Sequence, residues 1–512
     1  MLIKVFGAAV QGIDATLITI EVNSSRGCMF YLVGLPDSAV KESHQRIISA
    51  LQVNGYRMPT SNIVINMAPA DIRKEGAAYD LPLAIGILAA SEVIQSDKLE
   101  RYLLMGELSL DGSLQPIKGA LPIAIKAREL GFEGMIVPQQ NAHEAAVVNN
   151  LKVYGAGNIK EVIEFFNGTQ ELTPTLVNTR EEFYSQQSNF DFDFAEVKGQ
   201  ENVKRALEVA ASGSHNILLI GSPGSGKSML AKRLPSILPP LSLGESLETT
   251  KIHSVAGKLG KDGGLISKRP FRAPHHTIST VAMTGGGSFP QPGEISLAHN
   301  GILYLDELPE YSRNVLEVLR QPLEDRKITV SRIRCNVEYP ASFMLVASMN
   351  PCPCGYYTHP TKACVCSPGQ VQKYLNRISG PLLDRIDLQI EVTPLPFEEM
   401  ADSRPGESSA TIRERVIRAR QIQEARNADI PGIYCNAQMN SKLLARHARP
   451  DDKGLAMLKT AMNRLNLSAR AYDRILKVSR TIADLEGCEL IQPAHLAEAI
   501  GYRNLDREGW AG

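Results

Sequence analysis

Residues 221–228 carry the pattern with the clearest chemistry, Gly-Ser-Pro-Gly-Ser-Gly-Lys-Ser, which has the spacing G-x-x-x-x-G-K-S. An apolar run at 216–220 precedes it and a helical pattern at 229–234 follows it, so the order is strand, glycine-rich loop and helix. Glycines let backbone N–H groups point inward, and the helix N-terminus adds positive potential. An ordinary glycine-rich turn is the alternative, but the matched context favours a phosphate-binding loop.

The loop predicts a set of nucleotide ligands. We expect Lys227 to reach the β- and γ-phosphates of a nucleoside triphosphate, and the Ser228 hydroxyl to hold Mg²⁺. The candidate binding residues are Gly221, Ser222, Pro223, Gly224, Ser225, Gly226, Lys227 and Ser228.

A second element completes the predicted site. The run at 301–305 reads as a buried strand and ends in two acids, Asp306 and Glu307. Asp306 is placed to hold Mg²⁺ through water, and Glu307 to polarise the attacking water. Together the two patterns predict that the chain hydrolyses, or at least binds, a nucleoside triphosphate, with ATP and Mg²⁺ as cofactors.

Length and composition limit the class of protein. The chain has 512 residues, enough for about three domains. No apolar run approaches about 18 residues, and the N-terminus lacks a signal-peptide layout, so we expect a cytoplasmic protein without a membrane partner. Lys and Arg together number 55, as do Asp and Glu, so a nucleic-acid partner would have to meet local basic patches.

Half of the eight cysteines lie close together, at Cys352, Cys354, Cys364 and Cys366. A cytoplasmic chain argues against structural disulfides, and four thiolates in one loop suit tetrahedral Zn²⁺. The C-x-C spacing is tighter than the usual C-x-x-C, so a reduced, metal-free loop is the alternative.

Residues 326–334 form a basic segment without any acid. Its apolar residues alternate as in a strand, which predicts a hairpin. Such a hairpin suits contact with the phosphate backbone of DNA, and a solvated edge hairpin is the alternative. The DNA-contact candidates are Arg326, Lys327, Arg332 and Arg334.

The first 170 residues alternate between strand and helix patterns, which predicts an α/β domain. Segments 106–119 and 136–141 resemble the Lon protease domain. Ala78 and Leu121 stand where that resemblance would put the nucleophilic serine and its lysine, so we expect no proteolysis. The predicted role is a platform for partners or DNA, or a structural, oligomer-forming module. Residues 171–193 predict a flexible linker.

Residues 194–400 resemble the core of AAA+ ATPases. The resemblance implies that Asn350, after an apolar strand, is the sensor-1 residue that orients the attacking water. Segment 380–387 resembles the arginine-finger helix of the magnesium-chelatase and MCM branch, which implies that Arg385 reaches the γ-phosphate held by a neighbouring subunit. Arg377 is the competing finger, and a surface ion pair with Asp384 or Asp387 is the plainer role for Arg385.

Residues 401–512 predict a polar linker and then a helical lid domain. Segment 468–474 resembles the sensor-2 segment of the same branch, which implies that Arg470 touches the nucleotide, with Arg474 as the alternative.

Four motifs together resemble the ComM/YifB family of magnesium-chelatase-like AAA+ proteins. They are Arg-Ala-Pro-His-His at 272–276, three glycines at 285–287, Pro-Gly-Glu-Ile-Ser-Leu-Ala-His at 292–299 and Asn-Pro-Cys-Pro-Cys-Gly at 350–355. The resemblance implies a Lon-like α/β domain, a central AAA+ P-loop α/β domain with a parallel sheet, and a helical lid. It further implies a hexameric DNA helicase for branch migration in recombination and natural transformation. A magnesium-chelatase-type motor or protein remodeller is the alternative.

Overall fold

The computed structural model describes residues 1–260, 263–287, 290–332, 335–357, 359–396, 405–465 and 467–503, without the side chains of residues 332 and 335. The chain divides into two compact units. The first comprises Met1–Gln186, Leu243–Ser267 and Pro290–Pro292, and the second comprises Gln187–Ser242, Lys268–Phe289 and Gly293–Gly512.

The strands are numbered in chain order. They are β1 Leu2–Gln11, β2 Asp14–Ser25, β3 Phe30–Val33, β4 Asn62–Ala68, β5 Tyr102–Leu104, β6 Glu107–Leu108, β7 Leu114–Gln115, β8 Gly134–Pro138, β9 Lys152–Ala156, β10 Ile217–Ile220, β11 Phe271–Arg272, β12 Gly285–Gly286, β13 Gln291–Pro292, β14 Ile302–Leu305, β15 Lys327–Arg332, β16 Cys335–Pro340, β17 Met344–Met349 and β18 Leu388–Glu391.

The α-helices are numbered in the same way. They are α1 Ser38–Val53, α2 Asp80–Ala90, α3 Ala120–Glu129, α4 Gln139–Ala146, α5 Ile159–Asn167, α6 Thr179–Gln186, α7 Glu201–Gly213, α8 Lys227–Arg233, α9 Leu243–Ala256, α10 Thr280–Thr284, α11 Glu294–Leu297, α12 Arg313–Glu317, α13 Arg320–Asp325, α14 Pro368–Leu375, α15 Gly380–Leu383, α16 Ser409–Arg426, α17 Ser441–His447, α18 Asp452–Leu465, α19 Ala469–Leu485 and α20 Pro493–Gly501.

The first unit is built on a seven-stranded mixed sheet in the order β3-β4-β2-β1-β5-β8-β9. Strands β1 and β2 form an antiparallel hairpin that closes at the pair Gln11–Asp14, where Gly12 has a φ of 64°. Helix α2 is apolar along nearly its whole length and all its residues are buried, as expected of a helix that packs into a core from every side. Gly86 permits this approach, because a Cβ there would lie 2.8 Å from Cγ2 of Val22.

Helix α9 belongs to the first unit although its sequence follows the glycine-rich loop. The Gly119 N–H donates to the Ser254 carbonyl at 3.1 Å, and the Ser254 hydroxyl donates to the buried carboxylate of Glu144. That carboxylate also accepts from the Leu121 N–H at 3.0 Å, and burial raises the pKa of Glu144. A segment from the middle of the chain is therefore anchored beside the start of α3.

The second unit contains a five-stranded sheet in the order β11-β14-β17-β10-β18, and every neighbouring pair is parallel. Strands β10, β14 and β17 are fully buried, which explains their continuous apolar sequences. Their carboxyl ends lie at one edge of the sheet, which is where ligands bind in parallel α/β folds. Helices α16–α20 form the C-terminal helical region of the same unit.

The predicted α/β class, with a parallel central sheet and a C-terminal helical region, is confirmed. Two expectations differ from the structure. The segment 171–193 contains helix α6 rather than only flexible linker, and Phe183 of that helix is buried. Residues 243–267 join the first unit, whereas the predicted boundaries put them in the ATPase core. Among the described residues, no helix is long and apolar enough to cross a membrane.

Candidate nucleotide site, cysteine loop and basic hairpin

The glycine-rich loop joins β10 to α8 and owes its shape to three glycines. A Cβ at Gly221 would lie 2.3 Å from the carbonyl oxygen of Val392, so no side chain fits there. Gly224 and Gly226 have φ values of 79° and 92°, in the left-handed region that favours glycine. Helix α8 then begins at Lys227, which places a helix N-terminus at the loop.

Lys227 connects the loop to the neighbouring strand β17. Its Nζ donates to the carbonyl oxygens of Gly221 at 2.8 Å and Ser222 at 2.9 Å, and lies 3.4 Å from Oδ1 of Asn350. Burial lowers the pKa of Lys227, and the charges of Asp306 and Glu307 oppose that shift. The structure therefore brings the predicted sensor-1 residue and the P-loop lysine together.

Asp306 follows β14 and contacts the other side of the loop. The Ser228 hydroxyl donates to Asp306 Oδ2 at 2.9 Å, and the Ser348 hydroxyl donates to Oδ1. Ser348 in turn lies 3.1 Å from the Tyr304 hydroxyl. A serine hydroxyl and a carboxylate oxygen are hard ligands of the kind that Mg²⁺ prefers. Ser348 was not among the predicted residues.

Glu307 projects away from the strand. Its φ of 53° puts it in the left-handed region, and its side chain is 56% exposed. Its Oε2 lies 3.7 Å from Nδ1 of His276. The His276 ring contacts the His275 ring, with centroids 4.1 Å apart and planes tilted by 34°, and the adjacent Pro274 carbonyl accepts from the Tyr311 hydroxyl. The motif at 272–276 is therefore a neighbour of the predicted catalytic acid, which sequence spacing did not indicate.

The loop has unused hydrogen-bonding capacity that fits phosphate groups. The Ser222 and Ser225 hydroxyls are buried and have no hydrogen-bond partner among the described residues. Buried polar atoms are normally satisfied, so such a pair in a glycine-rich loop indicates a ligand site. Lys227 and the N-terminus of α8 supply positive charge beside them. These residues fit a nucleoside triphosphate with Mg²⁺.

The four clustered cysteines converge in space. Their sulfur atoms all lie within 4.8 Å of one another, and the three pairs among Cys352, Cys354 and Cys364 are 3.3, 3.5 and 3.7 Å apart. Four sulfurs around one Zn²⁺ at about 2.3 Å are about 3.8 Å apart, whereas a disulfide brings two sulfurs to about 2.05 Å. A backbone hydrogen bond from Tyr356 lowers the pKa of Cys354 to about 6, whereas burial and the neighbouring thiols raise the pKa values of Cys364 and Cys366. The donor set and spacing fit Zn²⁺.

A second group of potential ligands, Glu486, Cys488 and His495, does not fit a metal ion. His495 Nδ1 accepts from the Gln492 N–H at 3.0 Å, so Nε2 carries the ring proton and donates to Glu486 at 2.9 Å. A protonated nitrogen has no lone pair for a metal. We interpret this group as a hydrogen-bonded helix start.

Strands β15 and β16 form the predicted hairpin, in register from Lys327–Pro340 to Arg332–Cys335. Ile328 and Val330 are buried, as their alternation predicted. Half-exposed Lys327 lies 3.0 Å from Glu338, and Arg326 donates to the Ser342 hydroxyl at 3.3 Å. Arg334 and the side chain of Arg332 lie outside the described residues.

The two candidate finger arginines differ in exposure. The Arg385 side chain is 5% exposed and forms an ion pair with Glu324, rather than with Asp384 or Asp387. Arg377 is 51% exposed, and its guanidinium lies 2.9 Å from Glu310. Among the described side chains, no ion pair links either arginine to the glycine-rich loop.

The two candidate lid arginines also differ. Arg470 is 59% exposed and lies 3.8 Å from Asp384. Arg474 lies 2.9 Å from the buried carboxylate of Asp387. Burial raises the pKa of Asp387, but the charge of Arg474 and the His215 ring, with Nδ1 3.6 Å from Oδ2, reverse that effect, so the net pKa falls well below its usual range. Arg474 thus serves as a structural counter-ion, which leaves Arg470 as the accessible candidate.

The parallel sheet, its glycine-rich loop and the Ser228–Asp306 contact are those of the AAA+ class of P-loop proteins. Three family models match the chain. "Magnesium chelatase, subunit ChlI" matches residues 193–400, "Subunit ChlI of Mg-chelatase" matches residues 20–141, and "Magnesium chelatase, subunit ChlI C-terminal" matches residues 406–503.

Individual relatives show to which family of AAA+ proteins the chain belongs. Competence protein ComM of Haemophilus influenzae is 45% identical over 98% of this chain and 97% of its own length. YifB of Escherichia coli K12 is 43% identical over 98% of this chain and 96% of its own length. The magnesium-chelatase 38 kDa subunit of Rhodobacter capsulatus is 26% identical over 31% of this chain and half of its own length. The chain belongs to the ComM/YifB family of magnesium-chelatase-like AAA+ proteins.

Proposed function

We propose that this chain is an ATP-hydrolysing motor that acts, as a hexameric ring in the cytoplasm, on single-stranded or branched DNA during recombination and natural transformation. The observation that carries the proposal is the convergence of Lys227, Ser228 and Asp306 at the carboxyl edge of the parallel sheet. Family membership supports it, and a relative named for competence supports the cellular setting.

The side chains divide the work of ATP hydrolysis. Lys227 and the loop N–H groups bind the phosphates, and Ser228 and Asp306 hold Mg²⁺, which supplies positive charge against the phosphate oxygens. Glu307 accepts a proton from the attacking water, and His276 and Asn350 position the groups around it. Glu307 lies beside His276, whereas Asp306 contacts Ser228 and Ser348, so the two acids keep separate tasks.

A finger supplied by a neighbouring subunit completes the proposed site. Arg385 is our candidate, on the resemblance of segment 380–387, and Arg377 is the alternative because its guanidinium is already exposed. A cation that arrives only in the assembled ring ties hydrolysis to assembly, because it stabilises negative charge in the transition state.

The basic hairpin is the proposed DNA contact. Lysine and arginine side chains on a hairpin bind phosphates without reading the sequence. ATP hydrolysis measured with single-stranded, duplex and branched DNA tests the proposal, and we expect stimulation by the single-stranded or branched forms. Lys327→Ala should weaken DNA binding and lower its salt slope by about one.

Lys160→Ala is the matched control. Lys160 is also an exposed lysine beside a carboxylate, with its Nζ 3.8 Å from Glu164, and this variant should leave DNA stimulation unchanged. An ATPase rate that no DNA alters would overturn the proposal.

A bound Zn²⁺ is a further part of the proposal. Cys352, Cys354, Cys364 and Cys366 would hold it as a closed tetrahedral site that shapes the loop after Asn350.

A motor that acts on a protein partner is the second candidate. Lys327 is paired with Glu338, so part of the positive charge of the hairpin is neutralised within the chain. One partial relative is named as a magnesium-chelatase subunit. This candidate predicts no direct DNA binding and an ATPase rate that rises with a polypeptide.

A further inference from the structure

Arg385 is held in a buried, only partly satisfied position. Its Nη2 donates to the carboxylate of Glu324, and its Nη1 donates to the carbonyl oxygen of Pro381. Its Nε is buried and has no hydrogen-bond partner among the described residues. A buried guanidinium with an unused donor is costly, so this arrangement depends strongly on its one carboxylate.

The other arginines near Arg385 each lie beside a carboxylate of their own, Glu317 for Arg320, Asp384 for Arg470 and Asp387 for Arg474. Burial lowers the pKa of Arg385, Glu324 opposes this shift, and the charges of Arg320, Arg470 and Arg474 lower the pKa further. Without the Glu324 carboxylate, the guanidinium would be a buried cation with no ion-pair partner of its own among the described residues, so solvent would become the better environment for it.

Hydrogen bonds to Asn216 hold the main chain around Arg385 in place. The Asn216 Nδ2 donates to the Arg385 carbonyl at 2.9 Å, and the Asp387 N–H donates to the Asn216 carbonyl at 2.9 Å. The side chain of Glu324 is 48% exposed, so the carboxylate of this ion pair lies at the protein surface while the guanidinium is buried. Loss of this pair would therefore swing the guanidinium about a fixed Cα.

Glu324 stands at the base of the basic hairpin. It lies in α13, and β15 starts at Lys327 after a left-handed residue, Arg326, with a φ of 55°. The Arg326 N–H donates to the Pro322 carbonyl at 3.0 Å, and the Ala341 N–H donates to the Arg326 carbonyl at 2.8 Å. These bonds join helix and hairpin into one continuous piece, so a displaced hairpin carries Glu324 with it.

We propose that Glu324 is a positioning residue that stores Arg385 inside its own subunit, and that a phosphate backbone bound at the hairpin pulls Glu324 away and frees Arg385 for the neighbouring subunit. This inference rests on the proposed function, since it needs a DNA-binding hairpin and a finger at Arg385. It makes DNA contact, rather than assembly alone, the event that completes the hydrolytic site.

Glu324→Gln tests the inference in the full-length protein. We expect its ATPase rate without DNA to rise by at least about threefold, and the ratio of DNA-stimulated to DNA-free rates to fall towards one, because a released side chain shifts the resting population. Asp325→Asn is the matched control. It removes the next acid along the same helix, and no described ion pair joins Asp325 to Arg385.

The outcomes separate the two proposals. If DNA stimulates the wild-type protein and Glu324→Gln keeps the wild-type ratio, the storage role is wrong while the DNA motor stands. If both rates collapse in Glu324→Gln, the residue supports the productive site and the storage role is again wrong. If DNA stimulates no variant, the proposed function itself fails.

A measurement on wild-type protein covers the case in which the variant does not fold. Labelling of Arg385 by an arginine-selective dicarbonyl reagent, measured by mass spectrometry, should increase when single-stranded DNA is added without nucleotide, because the guanidinium leaves a position in which its side chain is only 5% exposed. Unchanged labelling of Arg385, with DNA bound, would overturn the inference.

Discussion

Gly355 of the cysteine loop lies directly against Pro223 of the glycine-rich loop. A Cβ built at Gly355 would come within 2.4 Å of Cδ of Pro223, and Gly355 has a φ of 83°. The cysteine loop therefore supports the phosphate-binding loop by direct packing, and a change in the conformation of one loop should displace the other.

Gly355→Ala should weaken nucleotide binding. The added methyl must displace Pro223, and the alanine must adopt a left-handed backbone conformation that is unfavourable for it. Overpacking of this kind costs about 1–3 kcal/mol. Titration with a fluorescent ATP analogue measures the Kd. Gly369→Ala is the control, because no atom lies within 4 Å of a Cβ at Gly369, and an equal Kd for both variants would contradict the prediction.

Removal of the zinc ion that we propose at the four clustered cysteines should also weaken nucleotide binding. We expect one zinc per chain by elemental analysis, and its loss in Cys354→Ser with a lower thermal midpoint and weaker nucleotide binding. Cys28→Ser, at an exposed cysteine outside the cluster, should keep the zinc. A metal-free wild-type protein with full nucleotide affinity would show that the loop is a reduced, metal-independent structure.

Glu307→Gln should retain nucleotide and stop hydrolysis. The amide keeps the size of the side chain but cannot accept a proton from water, so turnover should fall by about 100-fold or more. Binding should change little, because no predicted phosphate contact involves Glu307. Single-turnover hydrolysis and filter binding measure the two effects, with Glu129→Gln as a remote surface control. Normal turnover in Glu307→Gln would reject this residue as the base.

Arg474→Met should destabilise the second unit. It removes the main counter-charge of the buried Asp387 carboxylate, and breaking a buried pair from one side costs about 3–5 kcal/mol. Arg470→Met, at an exposed side chain 3.8 Å from Asp384, should cost less than about 1 kcal/mol. Urea midpoints compare the two, and a similar loss for both would contradict the assignment of Arg474 as a structural counter-ion.

Lys477 should make stability depend on alkaline pH. Burial, with help from Arg474, lowers its pKa from 10.5 to about 8. Between these values the unfolded chain binds more protons than the folded chain, so the free energy of unfolding should rise with pH across that window, by up to about 3 kcal/mol. Lys477→Met should lack this contribution, so its stability advantage over wild type should shrink from pH 8 to 10.5. A constant difference would contradict the lowered pKa.

The sequence predicted which residues of the central site lie together, because they are close in sequence or follow the ends of parallel strands. The order strand, loop and helix placed Lys227 and Ser228, and the rule for parallel strands brought Asp306 and Asn350 to the same edge. The convergence of four cysteines followed from their short separation along the chain.

The sequence patterns could not predict contacts between residues that are far apart along the chain. Glu324 and Arg385 are far apart in sequence, and nothing in the spacing of either predicts their ion pair. The contact between His276 and Glu307 depends on a loop path that has no regular period. Helix α9 has almost no apolar stripe on one face, so only packing shows which unit it joins.

The position of α9 has a practical consequence for any attempt to divide the protein. The polypeptide passes from the first unit to the second at 186–187, 267–268 and 292–293, and returns to the first at 242–243 and 289–290, so cleavage near 190 would not separate the segments of the first unit from those of the second. A fragment that starts at 187 would carry Leu247 and Ser254 away from the buried surface they complete. Each unit is therefore built from separated segments of the polypeptide, and neither can be transferred to another protein as a single uninterrupted stretch of sequence.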